Sequence, residues 1–487
     1  MSSNPYLSIL HRNLPRLLGQ VNRDQTDPYH GCADRQFWAW KLIDFPNATH
    51  HKPVCMDWPY YVLINMLPND LSSDSCLQLV LDMIAVIPKL SDRHGGLAEA
   101  LPYEGSFCVT ALVLSNVLAA LSLIESDLLD DNKQNILSIC STMATFLKKQ
   151  DEHHGMISNH LATAALAMHL WYHRTGDQKS KQRRDMWLAR IRRHADLSEG
   201  WMSEYGGADP GYQSWALTEL VQLDREGISC GDLIKSGYQF LSYFAMPDGS
   251  FANGVGTRLT RFLFPGGVEM AVVPLADFAR KNIQQSKFVS LDSIDASNFA
   301  PFFNDLALAA VHKKVGEKGE LPHETMAIGE IKIFEKAGLL SYRGINTYRV
   351  LSIERCDDYV GTDSKRIYAA VNGFIGIVDR NHITLQGNIV PVKRMMPTAL
   401  YFMVLRLLSI SIFQFPALGN KIKIFLAHLL IKSKPKPVGS LTCHIDLETG
   451  ERTDETKGVQ LKHLLNKKGF SPTHMASQGY WQRGDTK

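Results

Sequence analysis

The 487-residue chain lacks several things that would have identified it quickly. It has no charge excess: 52 Lys and Arg stand against 49 Asp and Glu, a net of +3, which is no global signature of nucleic-acid binding. It has no paired-cysteine motif. Its eight cysteines, at 32, 55, 76, 108, 140, 230, 356 and 443, form no CxxC, and several sit in apolar runs, so they read as buried free thiols of a reducing compartment. The absence of GxxxxGK[ST], GxSxG and HExxH removes a Walker-type nucleotide site, an α/β-hydrolase nucleophile and a zincin site. Gly254-Val255-Gly256 lacks the third glycine of a dinucleotide fingerprint, and Asp127-Leu128-Leu129-Asp130-Asp131 has the wrong spacing for a terpene-cyclase acidic run. The pairs His50-His51 and His153-His154 lack helical spacing and a matched carboxylate cluster, so neither a metal nor a cofactor is expected. No uninterrupted apolar run of secretory length opens the chain, and a cytoplasmic location is expected.

What is present is the balance of a packed globular protein, 45% hydrophobic and 21% charged, too long for one ordinary core. Residues 1–320 read as almost entirely helical. The run Phe107–Ile124 is apolar all round, which predicts a helix buried on every side. Four times a glycine is followed by an apolar residue two positions on, a polar rim and an apolar helix: Gly96-Leu97-Ala98-Glu99, Gly155-Met156-Ile157-Ser158-Asn159, Gly200-Trp201-Met202-Ser203-Glu204 and Gly249-Ser250-Phe251-Ala252-Asn253. The glycines lie 59, 45 and 49 residues apart, about one helical hairpin plus loops. A closed (α/α) toroid with an inner and an outer ring would bury such faces; an open solenoid is the rival.

From 325 to 487 the period changes to two, in Ile331–Phe334, Tyr348–Ile353 and Leu441–Leu447, with turn residues between. This predicts a multidomain α and β protein, the toroid followed by an antiparallel β-sandwich that is interrupted at 397–432 by an apolar, basic helical segment. From Thr398 to Phe415 eighteen residues carry one charge, Arg406, and from Lys393 to Lys436 there are eight Lys or Arg and no Asp or Glu. The run is short for a span and has Arg near its middle. Two readings stay open: amphipathic helices peripheral on an anionic membrane surface, or a hairpin docked on the protein's own core.

Each polar rim falls at the start of an apolar helix. Asp209 suits an N-cap and Pro210 the first helical position, which sets Tyr212 in the first turn; Ser158 suits a cap ahead of Asn159 and His160. Parallel inner helices would bring their N-termini to one end of the ring. Glu99, Tyr103, Asn159, His160, Glu204, Tyr212, Asn253 and Arg258 would meet there, in a mouth that favours an anion such as a carboxylated sugar.

These residues resemble the heparinase II/III and alginate lyase group of polysaccharide lyases. Asn159-His160 opening an apolar helix is similar to that family's Asn-His, and Gly200-Trp201-Met202-Ser203-Glu204 with Tyr212 downstream is similar to its Gly-x-x-x-Glu and catalytic Tyr; Arg258 could match a substrate-side arginine. The resemblance implies a toroid with a C-terminal β-sandwich and β-elimination at a uronate. Asn159 and His160 would neutralise the carboxylate, Tyr212 or His160 would take the C5 proton, and Tyr212 would protonate the leaving oxygen. Reprotonation from the other face would make an epimerase. Gln213 stands where the family commonly has His, and the Glu204-to-Tyr212 spacing is longer. Glycan assembly inside the cell fits these departures better than polymer degradation. Two rivals remain: a glycoside hydrolase using Glu99 and Glu204, and a non-catalytic glycan-binding scaffold at a membrane.

Overall fold

The computed structural model describes residues 4–463 apart from 42, 52–71, 253, 285–288, 290, 314–318, 364, 393–397, 416, 417, 420, 423, 424 and 426–434. Asn253, Cys55, most of the apolar run Ile422–Ile431 and the chain's last residues therefore lie outside the described residues.

The helical part opens with α1 (Pro5–Leu18) and α2 (Ser73–Ala85). Next come α3 (Phe107–Ile124), α4 (Asp130–Lys149), α5 (Ser158–Thr175), α6 (Gln178–His194), α7 (Pro210–Arg225), α8 (Gly231–Ser242), α9 (Pro265–Ala271), α10 (Leu275–Gln284) and α11 (Ala296–His312). They sort into two layers. The odd-numbered members from α3 to α11 pack in succession, α11 also packs on α1, and each even-numbered member from α4 to α10 packs on the helix before it. Composition dictates the sorting. Fourteen of the eighteen residues of α3 are buried, whereas α6 (QKSKQRRDMWLARIRRH) buries five, Arg184 among them, and exposes Lys179, Lys181 and Arg193. Trp187 is the anchor of α6, edge-on to Phe107 at 5.2 Å. The segment Phe107–Asp127 is long and apolar enough to cross a membrane, but 78% of its apolar window is buried in the protein, as the all-round pattern predicts.

Because an outer helix returns the chain after each inner one, α3, α5 and α7 run the same way. The glycine repeat marks the reversals. An aspartate ahead of the glycine accepts backbone N–H groups, as Asp92 does from His94 and Gly96, Asp196 from Ser198 and Glu199, and Asp248 from Ser250. Short bridges Ser91↔Leu97, Asp196↔Trp201 and Ala245↔Phe251 then close each turn. At Gly200 the backbone is left-handed (φ 88°), and a Cβ would stand 2.2 Å from the Ser236 carbonyl oxygen. In the first copy the left-handed glycine is Gly95 rather than Gly96.

The β part holds a sheet of β1 (Glu330–Phe334), β2 (Leu339–Arg343) and β3 (Tyr348–Ser352). A second, six-stranded sheet comprises β4 (Val360–Thr362), β5 (Ile367–Asp379), β6 (His382–Pro391), β7 (Gly439–Asp446), β8 (Arg452–Lys457) and β9 (Lys462–His463), in the order β8-β7-β6-β5-β4-β9. All the pairings are antiparallel. Alternation gives the small sheet two buried faces. Leu340, Tyr342, Leu351 and Ile353 share a core with Leu385, Leu441, Cys443 and Ile445 of the large sheet. Phe334, Leu339, Tyr348 and Val350 join the helical core instead, Phe334 edge-on to Phe240 at 5.0 Å. The chain leaves the large sheet after β6 and returns at β7, with Ile389 opposite Gly439. The excursion between them carries α12 (Ala399–Ser409).

Candidate functional site

The sequence places its candidate residues on three loops, and backbone bonds stitch those loops together. Ile157 bridges Glu204; the Ser158 N–H donates to the Ser203 carbonyl (3.0 Å) and the Tyr205 N–H to that of Met156 (3.1 Å). The Thr257 N–H donates to the Ala208 carbonyl (2.9 Å), and its hydroxyl to the Glu204 carbonyl (2.8 Å). Ser158 is not a cap, as its hydroxyl faces the neighbouring repeat and donates to Ser203. Asp209 is one: Pro210 begins α7, and the Asp209 carboxylate accepts the N–H of Tyr212 (3.0 Å) and of Arg258 (2.8 Å). One buried aspartate thus fixes the start of α7 and the backbone of Arg258 together.

Two charged pairs sit side by side. The Arg258 guanidinium donates to Glu204 Oε1 (3.1 Å), lies 3.8 Å over the Tyr212 ring and 5.3 Å from the centre of the Tyr205 ring. His160 Nδ1 lies 2.6 Å from Glu152 Oε2, and the ring lies beside the Cys108 thiol. Glu152 accepts in addition from His154 (2.9 Å). Burial would raise Glu152, but the bonds from His154 and His160 hold it well below the usual carboxylate range. Burial would lower His160, but its acceptors Cys108 and Glu152 raise it well above its ordinary value. Burial also pushes the Cys108 thiol up, so near neutrality the anion that keeps His160 protonated is Glu152. Burial pushes Glu204 up to about 7 against the pull of Arg258 and His160. A carboxyl that titrates near neutrality beside a fixed cation is equipped for proton transfer.

The aromatic members differ. The Tyr212 hydroxyl donates to Asn298 Oδ1 (3.2 Å), its ring stacks on Trp215 (6.1 Å), and burial pushes the phenol up to about 12. Tyr205, half-buried and left-handed (φ 55°), has a hydroxyl with no hydrogen bond among the described residues. Asn159 is 1% exposed; its Oδ1 accepts the His160 N–H (2.8 Å), while its Nδ2 is buried with no partner among the described residues. Leaving such a donor unmet costs about 1–3 kcal/mol, which an incoming oxygen would offset.

The structure therefore brings together Asn159, His160, Glu204, Tyr212 and Arg258. It does not bring in Tyr103, which stands 46% exposed on the loop before α3 with no hydrogen bond among the described residues. Glu99 lies near Cys108 but accepts from Ser106 Oγ (2.8 Å), the residue that caps α3. Glu152, Cys108 and Tyr205 were missed by sequence reasoning. Gln213 is a brace, accepting from the Met202 N–H (2.9 Å) and donating to the Gly200 carbonyl (2.9 Å). Among the described residues no group of three or more His, Cys, Asp or Glu is placed to hold a metal.

A cavity of about 30 Å³ lies elsewhere, among α3, α5, α7 and α11, lined by Asn116, Trp215, Glu219, Asn304 and Asp305. It has room for about one or two waters and none for a sugar. Its Asp305 accepts the N–H of Gly266 (2.8 Å) and the hydroxyl of Thr218 (3.1 Å), fastening α9 to α7.

No family model matches the chain, and no curated protein matches it. Among solved structures it is similar to a chondroitin AC lyase of Streptomyces coelicolor A3, with TM-score 0.47, 8% identity, and coverage of 80% of this chain and 67% of that one. It is similar to a xanthan lyase of Paenibacillus (0.42, 10%, 80% and 46%) and to a GH127 β-L-arabinofuranosidase of Geobacillus stearothermophilus T6 (0.38, 10%, 80% and 71%). The chain spans under half the length of the xanthan lyase.

Proposed function

We propose that the protein is a carbohydrate-active enzyme whose helical layers close into an (α/α) toroid, and that it acts on a uronate-containing glycan by abstracting the C5 proton. The observation that carries this reading is the juxtaposition of His160 bonded to the Glu152 carboxylate, the Arg258 guanidinium on the buried Glu204 carboxyl, and an Asn159 amide donor with no partner among the described residues. A proton α to a carboxylate is removed only if charge building on that carboxylate is met by fixed donors. His160, Asn159 and Arg258 are such donors. His160 serves there as a cation, because Glu152 keeps it protonated, rather than as the base.

Glu204 is the group whose proton affinity suits the base. In a lyase the C5–H bond breaks toward Glu204, its electron pair forms the C4=C5 double bond, the C4–O bond breaks, and a phenol protonates the departing oxygen. Of the two phenols beside Arg258, that of Tyr205 has no hydrogen bond among the described residues, while that of Tyr212 is held by Asn298. In an epimerase the C5 carbanion takes a proton back on the opposite face.

The test is incubation with uronate oligosaccharides, following the ultraviolet absorbance of the conjugated C4=C5 bond of an unsaturated uronate together with new reducing ends. Absorbance rising in step with reducing ends supports a lyase. Inverted C5 with no new ends supports an epimerase. Reducing ends with no chromophore would mean hydrolysis and defeat the proposal, as would binding with no turnover.

A further inference from the structure

We propose that the outward face of α12 is a docking surface for an anionic lipid bilayer. The helix is mounted the opposite way round from an ordinary surface helix. Leu400, Met403, Val404, Leu407 and Ile410 recur at i, i+3, i+4, i+7 and i+10, one stripe along the helix. That stripe faces solvent, at 60, 55, 44, 55 and 73% exposure. Contact with the protein is confined to the C-terminal half of the helix, where Leu405 and Leu408 are half-buried, Ser409 is buried and Arg406 pairs with Asp44 at 2.7 Å. Phe402, Phe415, Leu418 and Phe425 extend the exposed apolar surface beyond the stripe. A water-facing surface seldom leaves so many large apolar side chains together.

The charge pattern selects the occupant. Residues 393–436 carry eight cations and no anion, and the described ones include Arg406, Lys421 and Lys436. An exposed apolar surface on a segment whose only charged residues are cations complements a surface with anionic headgroups outside and acyl chains beneath. At eleven residues the helix is about 16 Å long, roughly half the thickness of a bilayer core, so it lies in the interface and does not cross. Its mounting suits this task. The excursion leaves and rejoins the large sheet at one place, where the Val438 N–H donates to the Ile389 carbonyl (2.9 Å), so the β6–β7 register holds whatever the segment touches.

The experiment is vesicle flotation of the full chain with phosphatidylcholine alone and with phosphatidylcholine plus phosphatidylglycerol, at low and high salt. The intact chain is expected to float with anionic vesicles, and at least about tenfold less with neutral vesicles or at high salt. Met403→Glu with Leu407→Glu, both exposed positions, should lower binding at least about tenfold with unchanged circular dichroism. A second variant, in which a short Gly-Ser turn replaces 393–437 between β6 and β7, should not float at all. Failure of the intact chain to bind anionic vesicles overturns the proposal, and so does binding that the glutamates leave intact. A dimer in vesicle-free solution that those glutamates dissociate would also overturn it, since a second copy of the chain would then be the occupant. None of these outcomes depends on the glycan chemistry.

Discussion

Replacing Glu204 with Gln keeps the side chain's shape and its acceptor for Arg258 but removes a proton that titrates. In the folded protein burial holds that carboxyl at about 7 instead of 4.5; in the unfolded chain it returns to its ordinary value. Between the two, the folded state keeps a proton that the unfolded state has released, so stability falls as pH rises across the interval. Below it both states are protonated and the group contributes nothing; above it the full penalty applies. At about 1.4 kcal/mol per tenfold change in proton affinity, the interval is worth about 3 kcal/mol. Glu204→Gln should therefore gain about 3 kcal/mol on the wild type between about pH 4.5 and about pH 8. The gain is read as the change in the difference between the two urea midpoints, in which other titrating groups largely cancel. A difference that stays constant with pH, or a wild type that gains on the variant as pH rises, would refute the reasoning. It would mean that Glu204 is an ordinary ionised partner of Arg258.

The other predictions concern the neighbours. Arg258→Met leaves the buried Glu204 without its cation and should cost about 3–5 kcal/mol in urea unfolding, less when combined with Glu204→Leu. Tyr205→Phe should lower turnover on a uronate oligosaccharide by roughly 100-fold or more, whereas Tyr212→Phe loses the bond to Asn298, costing about 1 kcal/mol of stability and little turnover. Glu152→Gln removes the anion that keeps His160 charged and leaves burial to lower it, so the variant should be inactive on a uronate oligosaccharide at neutral pH, where the wild type turns over. Gly200→Ala should cost more than about 1 kcal/mol, because it combines a left-handed backbone with a 2.2 Å approach to Ser236.

How much the sequence reveals depends on how local each signal is. Phe107–Ile124 reads as a fully buried helix because eighteen consecutive residues say so, and Asp209-Pro210 reads as a helix start because cap and first turn are adjacent. Strands β1, β3 and β7 lie within a residue or two of the period-two runs that predict them. Strand β2 escapes because both its faces are buried, which erases the alternation of apolar and polar residues. Strand β5 escapes because its pairing with β6 shifts register twice, near Gly373 and Gly376.

At the site, Asn159, His160, Glu204, Tyr212 and Arg258 are legible from their rims. Glu152 is not, because Asp151-Glu152-His153-His154-Gly155 reads as loop punctuation and only the fold sets Glu152 against His160. Cys108 is hidden in an apolar run, and Tyr205 in a glycine-flanked turn. The aspartate ahead of each repeat glycine was the available clue that those loops are built turns.

The most direct test of the proposed proton abstraction is proton magnetic resonance of a uronate oligosaccharide incubated with the protein in heavy water. The account predicts loss of the C5 proton signal with the wild type, and its retention with Glu204→Gln and with His160→Ala. A glycan that is cleaved, or bound and released, with its C5 proton intact would contradict it.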